Sequence, residues 1–286
     1  MNELQKSILK IFKQISKICD DNEIPYFAIG GTCIGAVRHK GFIPWDDDLD
    51  IAIPIEYFDY FIKMANTQLP GSMKIYTCAN HETFRYVFIK VIDITTTFIE
   101  ESEILYPKSY KGVYVDIMPI CGIPCDENRR KRFYNMQFYC LRMNEKLRAD
   151  KYTTSLKGKI ANSYLNVMKK IYGYNYYSNK WIKIMKANPF YKSKYTGYVW
   201  WPYRLEEQKR LTFKTEYFTE TTNLPFEDTF IRCPKNYDAY LSQQFGNYME
   251  FPPDVEREGH HKGLIDLNKP YEYYQNNTEI VKKMME

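Results

Sequence analysis

Gly30-Gly-Thr-Cys-Ile-Gly-Ala-Val-Arg-His-Lys-Gly-Phe-Ile-Pro-Trp-Asp-Asp-Asp-Leu-Asp-Ile51 joins two apolar runs through paired glycines and a cluster of aspartates. Just upstream, Tyr26-Phe-Ala-Ile29 follows Pro25 and reads as a buried strand. Gly30-Gly31 makes a tight turn, and Thr32 is placed to cap a short helix through about Arg38. His39 to Asp47 is polar and turn-rich, and Asp46 and Asp47 read as a solvated acidic turn. Asp48-Leu-Asp-Ile-Ala-Ile53 reads as a second strand, with Leu49, Ile51 and Ile53 facing a core and Asp48 and Asp50 sharing the other face. At ~3.3 Å per residue their Cα atoms stand about 6.6 Å apart. Two such carboxylates repel, and one tends to hold a proton unless a hard cation such as Mg²⁺ or Mn²⁺ sits with them. The glycines let backbone amides approach an anion, and the following helix points its positive end the same way. Phosphate on the turn and metal beside the aspartates is equipment for phosphoryl transfer.

Outward from this unit, Leu4, Ile8, Ile11, Phe12, Ile15 and Ile18 recur at helical spacing and predict an amphipathic helix closed by Asp20-Asp21-Asn22. Pro54 ends the second strand, and Ile55 to Gln68 reads as a helix behind it. Tyr86 to Asp93 and Gly112 to Pro119 read as further strands. The order predicts an α+β fold, a small mixed sheet with flanking helices. Residues 126 to about 190 look helical, with Leu156, Ile160, Tyr164, Val167, Met168 and Ile171 on one stripe. Phe226 to Cys233 reads as a strand, Pro234 to Gly246 as a helix, and the last twenty residues as peripheral. The division expected is a catalytic core over 1–125, a basic helical subdomain over 126–199, and a segment over 200–286 that completes the core.

A third carboxylate is expected at the site. Asp116 is preferred, because Val113, Val115 and Ile117 alternate with it; Asp93 is the rival, but it precedes three threonines and suits a turn cap. An EF-hand loop starting at Asp46 fails, since Ile51 and Tyr57 stand where Gly and Glu are required. An aspartyl-phosphatase pattern fails at Ala52, whereas a glycosyltransferase Asp-x-Asp remains open.

The 286 residues carry a net charge of +5, distributed unevenly. Arg129 to Lys186 holds 15 Lys/Arg against Glu145 and Asp150, a balance of +13, which leaves −8 on the remainder. Such a basic stretch, interleaved with Tyr164, Tyr172, Tyr174, Tyr176, Tyr177 and Trp181, suits an anionic acceptor or a membrane face; the plainer reading is lysines facing water. No nucleic-acid module is recognised, and nucleic acid is not expected as a partner. Seven scattered cysteines fit a reducing compartment, and Cys121 and Cys125 lack zinc-site companions. The N-terminus has no signal-peptide pattern, and no stretch approaches the ~20 apolar residues of a bilayer span. A cytoplasmic protein, at most peripheral at the inner membrane face, is expected.

The stretch from Gly30 to Ile51 resembles the signature of the LicD family, which contains bacterial phosphocholine transferases acting on surface polysaccharides and teichoic acids and is distantly related to fukutin-type transferases. Gly112-Val-Tyr-Val-Asp-Ile-Met-Pro119 resembles its second strand motif. Phe226-Glu227, Pro234, Tyr237, Tyr240-Leu241, Phe245-Gly246-Asn-Tyr248-Met249 and Pro252-Pro253 resemble its C-terminal segment. The resemblance implies a nucleotidyltransferase-like fold and transfer of phosphocholine, or a related phospho-alcohol, from a CDP-activated donor to a glycan hydroxyl, the acceptor being lipid-linked or free. It implies Asp48, Asp50 and Asp116 as ligands of Mg²⁺ or Mn²⁺, and Gly30, Gly31 and Thr32 as holders of the donor diphosphate. Arg38 and Lys90 would neutralise phosphoryl charge, and one of His260 and His261 would line the site or act as a base. Cys33 departs from the Leu common at its position. A nucleotidyltransferase or glycosyltransferase using the same aspartates is the alternative enzyme; a module that only binds choline or nucleotide is the non-enzyme alternative.

Overall fold

The structure is a computed structural model that describes residues 1–82, 84–101, 111–148, 155–198, 205–257, 259 and 263–275. Its first helix, α1 (Glu3–Asp21), begins at a capping box in which Gln5 N–H donates to Asn2 Oδ1 at 2.8 Å and Asn2 N–H donates to Gln5 Oε1 at 3.0 Å. Ile8, Ile11, Phe12, Ile15 and Ile18 bury one face of it. The Gln5 amide also donates to the carbonyls of Ile43 and Asp46, tying the helix start to the aspartate loop.

The principal sheet has seven strands. In chain order the strands are β1 (Phe27–Ala28), β2 (Asp50–Pro54), β3 (Met73–Tyr76), β4 (Ile89–Asp93), β6 (Tyr114–Ile123), β7 (Tyr195–Tyr198) and β8 (Phe213–Lys214); β5 (Thr97–Glu100) lies outside this sheet. They lie side by side as β1-β2-β6-β4-β3. Only β2 and β6 run parallel, so the sheet is mixed and the fold is α+β. The first half of the long strand β6 pairs with β4, and its second half pairs with β7, which leads on to β8. Helix α2 (Gly30–Ile34) and the π-turn Gly35–His39 connect β1 towards β2, and α3 (Ile55–Gln68) packs behind through Ile55, Phe58, Phe61 and Ala65.

Over 126–190, expected to be helical, the described residues form three helices: α4 (Glu127–Arg148), α5 (Leu156–Tyr172) and α6 (Tyr176–Lys186). Phe133 of α4 packs edge-on against Trp181 of α6 at 5.0 Å, and both are buried in the core. Arg148 closes α4, its guanidinium donating to the carbonyls of Cys78, His81 and Glu82 and to Asn175. Helix α5 buries no residue, and the stripe read as amphipathic faces outward.

After α7 (Leu205–Arg210) the single strand expected over Phe226–Cys233 is two, a hairpin of β9 (Thr221–Phe226) and β10 (Thr229–Pro234). Glu227 occupies its turn with φ 55°, a left-handed conformation that ends the ladder. The next helix, α8, spans Tyr237–Phe245, three residues later than Pro234 suggested. Of the last twenty residues, expected to be peripheral, the described ones (267–275) are partly buried. Strand β11 (Gly263–Asp266) pairs with β5, and Tyr271, just before α9 (Glu272–Gln275), and Tyr274, within it, are buried with Ile99 and Leu264. Among the described residues no helix is long and apolar enough to cross a membrane.

Candidate active site

Asp50 opens β2, and its register partner across the parallel ladder is Asp116 of β6. The next partner, across the antiparallel ladder, is Lys90 of β4. The three polar side chains therefore stand in a row on adjacent strands, while Ile51, Val115, Ile117 and Val91 bury the opposite parity. Lys90 Nζ lies 3.5 Å from Asp116 Oδ1 and 3.9 Å from Glu100 Oε1. It sits 3.1 Å from the centroid of the Tyr114 ring, whose hydroxyl donates to Glu100 at 2.7 Å. Asp48 lies two residues before the strand rather than on it, since the regular ladder begins at Asp50. Asp46 is 5% exposed, so it is not the solvated turn residue expected. One carboxylate oxygen from each of Asp46, Asp47 and Asp48 falls within 4.8 Å of the others.

These groups face a cleft of about 490 Å³ lined by Gly30, Gly31, Asp46, Asp48, Asp50, Lys90 and Asp116, with Tyr86, Phe88, Glu100, Tyr114 and Met118 on one wall. Glu207, Arg210, Leu211, Gln244 and Phe245 form the rest. Burial first, then the charges of Asp48, Asp116 and Asp46, push the Asp50 carboxyl well above its ordinary range, and Lys90 offsets only part of this. The donor set is all carboxylate oxygen, which suits Mg²⁺ or Mn²⁺ and not a thiolate- or imidazole-seeking metal. A small hard cation fits the chemistry of these residues.

The glycine turn is built from both ends of the chain. Gly30 has φ +56°, and its N–H donates to the Tyr240 hydroxyl at 2.8 Å. Tyr240 is 2.6 Å from the Tyr198 hydroxyl, which donates to Gln244 at 2.8 Å. The amide of Gly30 is thus taken by Tyr240. A Cβ on Gly31 would stand 2.9 Å from Asp46 Oδ2, so glycine is needed for the turn to approach the carboxylate. Thr32 does not cap the helix, which already begins at Gly30; its hydroxyl accepts the Asp50 N–H at 2.8 Å and pins the start of β2. The C-terminal motif holds the same stretch elsewhere. Phe226 packs on Phe42 at 4.9 Å, and Glu227 accepts the Phe42 N–H at 3.1 Å.

Arg38 lies outside the cleft lining. Its guanidinium donates to the Tyr248 and Glu250 carbonyls at 2.8 and 2.9 Å and covers the Phe251 ring at 4.6 Å. Asp93 lies at the far end of β4, where it accepts from Thr95 N–H and Oγ1 at 3.0 and 2.6 Å as a turn cap. His260 and His261 lie outside the described residues. Sequence reasoning missed Tyr86, Phe88, Tyr114, Glu100 and Arg210. For Tyr114 a signal existed, since it shares parity with Asp116 along β6; Tyr86 and Phe88 precede β4, which begins at Ile89 and not at Tyr86 as expected, so alternation does not place them. Glu100 and Arg210 carry no such pattern, because separate elements bring them to the cleft.

Residues 23–139 match the family described as LicD/FKTN/FKRP, nucleotidyltransferase domain. The chain is 26% identical over 271 residues to the lipopolysaccharide cholinephosphotransferase LicD of Haemophilus influenzae, covering 91% of this chain and 96% of that protein. It is also 47% identical over 47 residues to uncharacterized proteins of Rickettsia prowazekii and Rickettsia typhi, a match spanning 16% of this chain and 18% and 15% of theirs. The motif and most of the sheet that carries it thus lie within residues 23–139, the stretch that is similar to the LicD/FKTN/FKRP nucleotidyltransferase domain.

Proposed function

We propose that this chain is a metal-dependent transferase that moves phosphocholine, or a related phospho-alcohol, from a CDP-activated donor to a hydroxyl of a cell-surface glycan or teichoic acid. The observation that carries this reading is the row Asp50–Asp116–Lys90, with Asp46 and Asp48 beside it, in a cleft with an aromatic wall. Similarity to a lipopolysaccharide cholinephosphotransferase along nearly the whole chain supports it.

In this reading Asp48, Asp50 and Asp116 hold Mg²⁺ or Mn²⁺, joined by Asp46, and the ion when bound neutralises diphosphate charge. Lys90, balanced between Asp116 and Glu100, contributes a further positive charge beside the phosphoryl group. Gly31 lets the turn approach the donor. Tyr86 and Phe88, stacked at 4.7 Å, and the nearby Glu100 offer a quaternary ammonium aromatic faces and a negative charge. The acceptor hydroxyl oxygen bonds to the donor's phosphorus, the bond from that phosphorus to the CMP oxygen breaks, and the hydroxyl proton passes to a cleft carboxylate. Products are a phosphodiester and CMP. Six of the seven cysteine thiols are buried and unbridged, which supports a reducing cytoplasm, with the acceptor met at the inner membrane face.

Following ³¹P NMR with Mg²⁺, glycan acceptors and a panel of CDP-choline, CDP-glycerol, CDP-ribitol and nucleotide sugars tests the reading. CMP released from one CDP-alcohol, and lost in Asp48→Asn/Asp50→Asn, is expected. Pyrophosphate or UDP as product, or release that survives the double substitution, overturns it.

A further inference from the structure

Helix α5 presents to solvent the face that an amphipathic helix ordinarily buries. Leu156, Ile160, Tyr164, Val167 and Ile171 are 74, 62, 59, 53 and 65% exposed. Spaced i, i+4, i+8, i+11 and i+15, they fall within an arc of about 80° on a helix of 3.6 residues per turn. The opposite face, around Gly158, Asn162 and Leu165, is the partly covered one. Among the described residues the apolar stripe is therefore left uncovered. Contiguous exposed apolar surface of this kind marks a place where something docks.

Charge identifies the occupant. Helix α5 carries Lys157, Lys159, Lys169 and Lys170 and no acid. Around the helix, Lys157 borders the stripe on one side and Lys159 and Lys170 on the other, within reach for their ammonium groups to extend past an apolar layer. Tyr172 and Tyr176 pair at 4.6 Å at the helix's end, partly exposed, as aromatic residues do at a lipid–water boundary. A second copy of the chain is a poor partner. An isologous contact would set the +13 stretch of Arg129–Lys186 against itself. An anionic bilayer satisfies both the stripe and the lysines.

We propose that α5 is a membrane-docking helix that lies in the interface of an anionic bilayer, with its apolar stripe in the acyl boundary and its lysines at the headgroups. This deepens the acceptor half of the proposed function by naming the element that brings the cleft to a lipid-borne acceptor; α4 packs on both α5 and the cleft-lining α7 and links the two. Docking depends on the stripe and its lysines and not on the donor chemistry, so a failed transferase assay leaves it standing.

The test is flotation of the full chain with vesicles of phosphatidylcholine alone and of phosphatidylcholine mixed with phosphatidylglycerol, with no donor present. The wild type is expected to float with the anionic vesicles only, less at raised salt. Ile160→Ser/Val167→Ser/Ile171→Ser and, separately, Lys157→Gln/Lys159→Gln/Lys170→Gln should each weaken binding at least about tenfold. Thermal melting should be unchanged, because none of these side chains is buried. Equal or absent binding of the wild type to both vesicle types overturns the proposal, as does full binding by the serine variant. A wild-type dimer in sedimentation that the serine variant disperses also overturns it, in favour of a second copy.

Discussion

With no cation bound, Asp50 is expected to destabilise the folded chain at neutral pH. Burial and three neighbouring aspartates raise its proton affinity in the folded chain above the value of 3.8 it has when exposed. The folded state therefore binds the proton more tightly than the unfolded state. The stability this confers is present below that value and is lost as pH rises through the raised folded pKa. In chelator at neutral pH, Asp50→Asn is expected to melt higher than the wild type, with the difference shrinking as the buffer is made acid. Adding Mg²⁺ should raise the wild-type Tm by preferential binding to the folded state and leave the variant nearly unmoved. Transfer activity should fall ~10²–10³-fold. A variant that melts lower than the wild type in chelator at neutral pH contradicts this account. At this scale much of the site is legible in sequence, because two-residue alternation fixes which side chains share a face. Asp50, Asp116 and Lys90 follow from it, and so does Tyr114 once parity is extended along β6. Asp46 does not follow: it is buried in a loop whose carbonyl the Gln5 amide reaches from α1, a contact 41 residues apart in sequence.

Local signals locate elements well where one face must be buried and poorly where a distant partner sets the geometry. The α3 helix runs from Ile55 to Gln68, the limits read from the sequence, because Pro54 fixes its start and its apolar spacing fixes its face. Thr32 looks like a cap and instead holds the first amide of β2, a choice made by a strand 18 residues on. The glycine turn likewise depends on Tyr240, 210 residues away. Tyr240→Phe removes the acceptor for the Gly30 N–H in a buried setting and breaks the run of hydroxyls to Tyr198 and Gln244. The expected cost is about 1–3 kcal/mol, the penalty of leaving a buried donor unsatisfied. Denaturant melts measure it. The Mg²⁺-induced rise in Tm should persist, since the carboxylates are untouched; its loss would move Tyr240 from supporting the turn to holding the ion site.

The division of the chain is where linear reading meets its limit, because strands distant in sequence share one sheet. Residues 1–125 hold the motif, yet β7 pairs with β6 and β8 with β7, and Phe213, Phe226, Tyr240 and Leu241 are fully buried in the common core. A fragment ending at residue 125 is expected to collapse without cooperative unfolding, since the second half of β6 would be left with an open edge and core faces in water. Helix α5 behaves oppositely. It buries nothing, and the segment that carries it leaves and re-enters the fold at nearly one point: the Arg148 side chain donates to the Tyr174 carbonyl at 3.4 Å and to Asn175. A short Gly/Ser linker replacing residues 155–173 can therefore join α4 to α6 without moving either, and the core should melt within about 4 °C of the full chain, as a change of ~1 kcal/mol or less would allow. The excised protein should still release CMP with a water-soluble acceptor while losing flotation with anionic vesicles. Loss of cooperative melting on excision would mean instead that the stripe is covered within the folded chain, and that α5 belongs to the core after all.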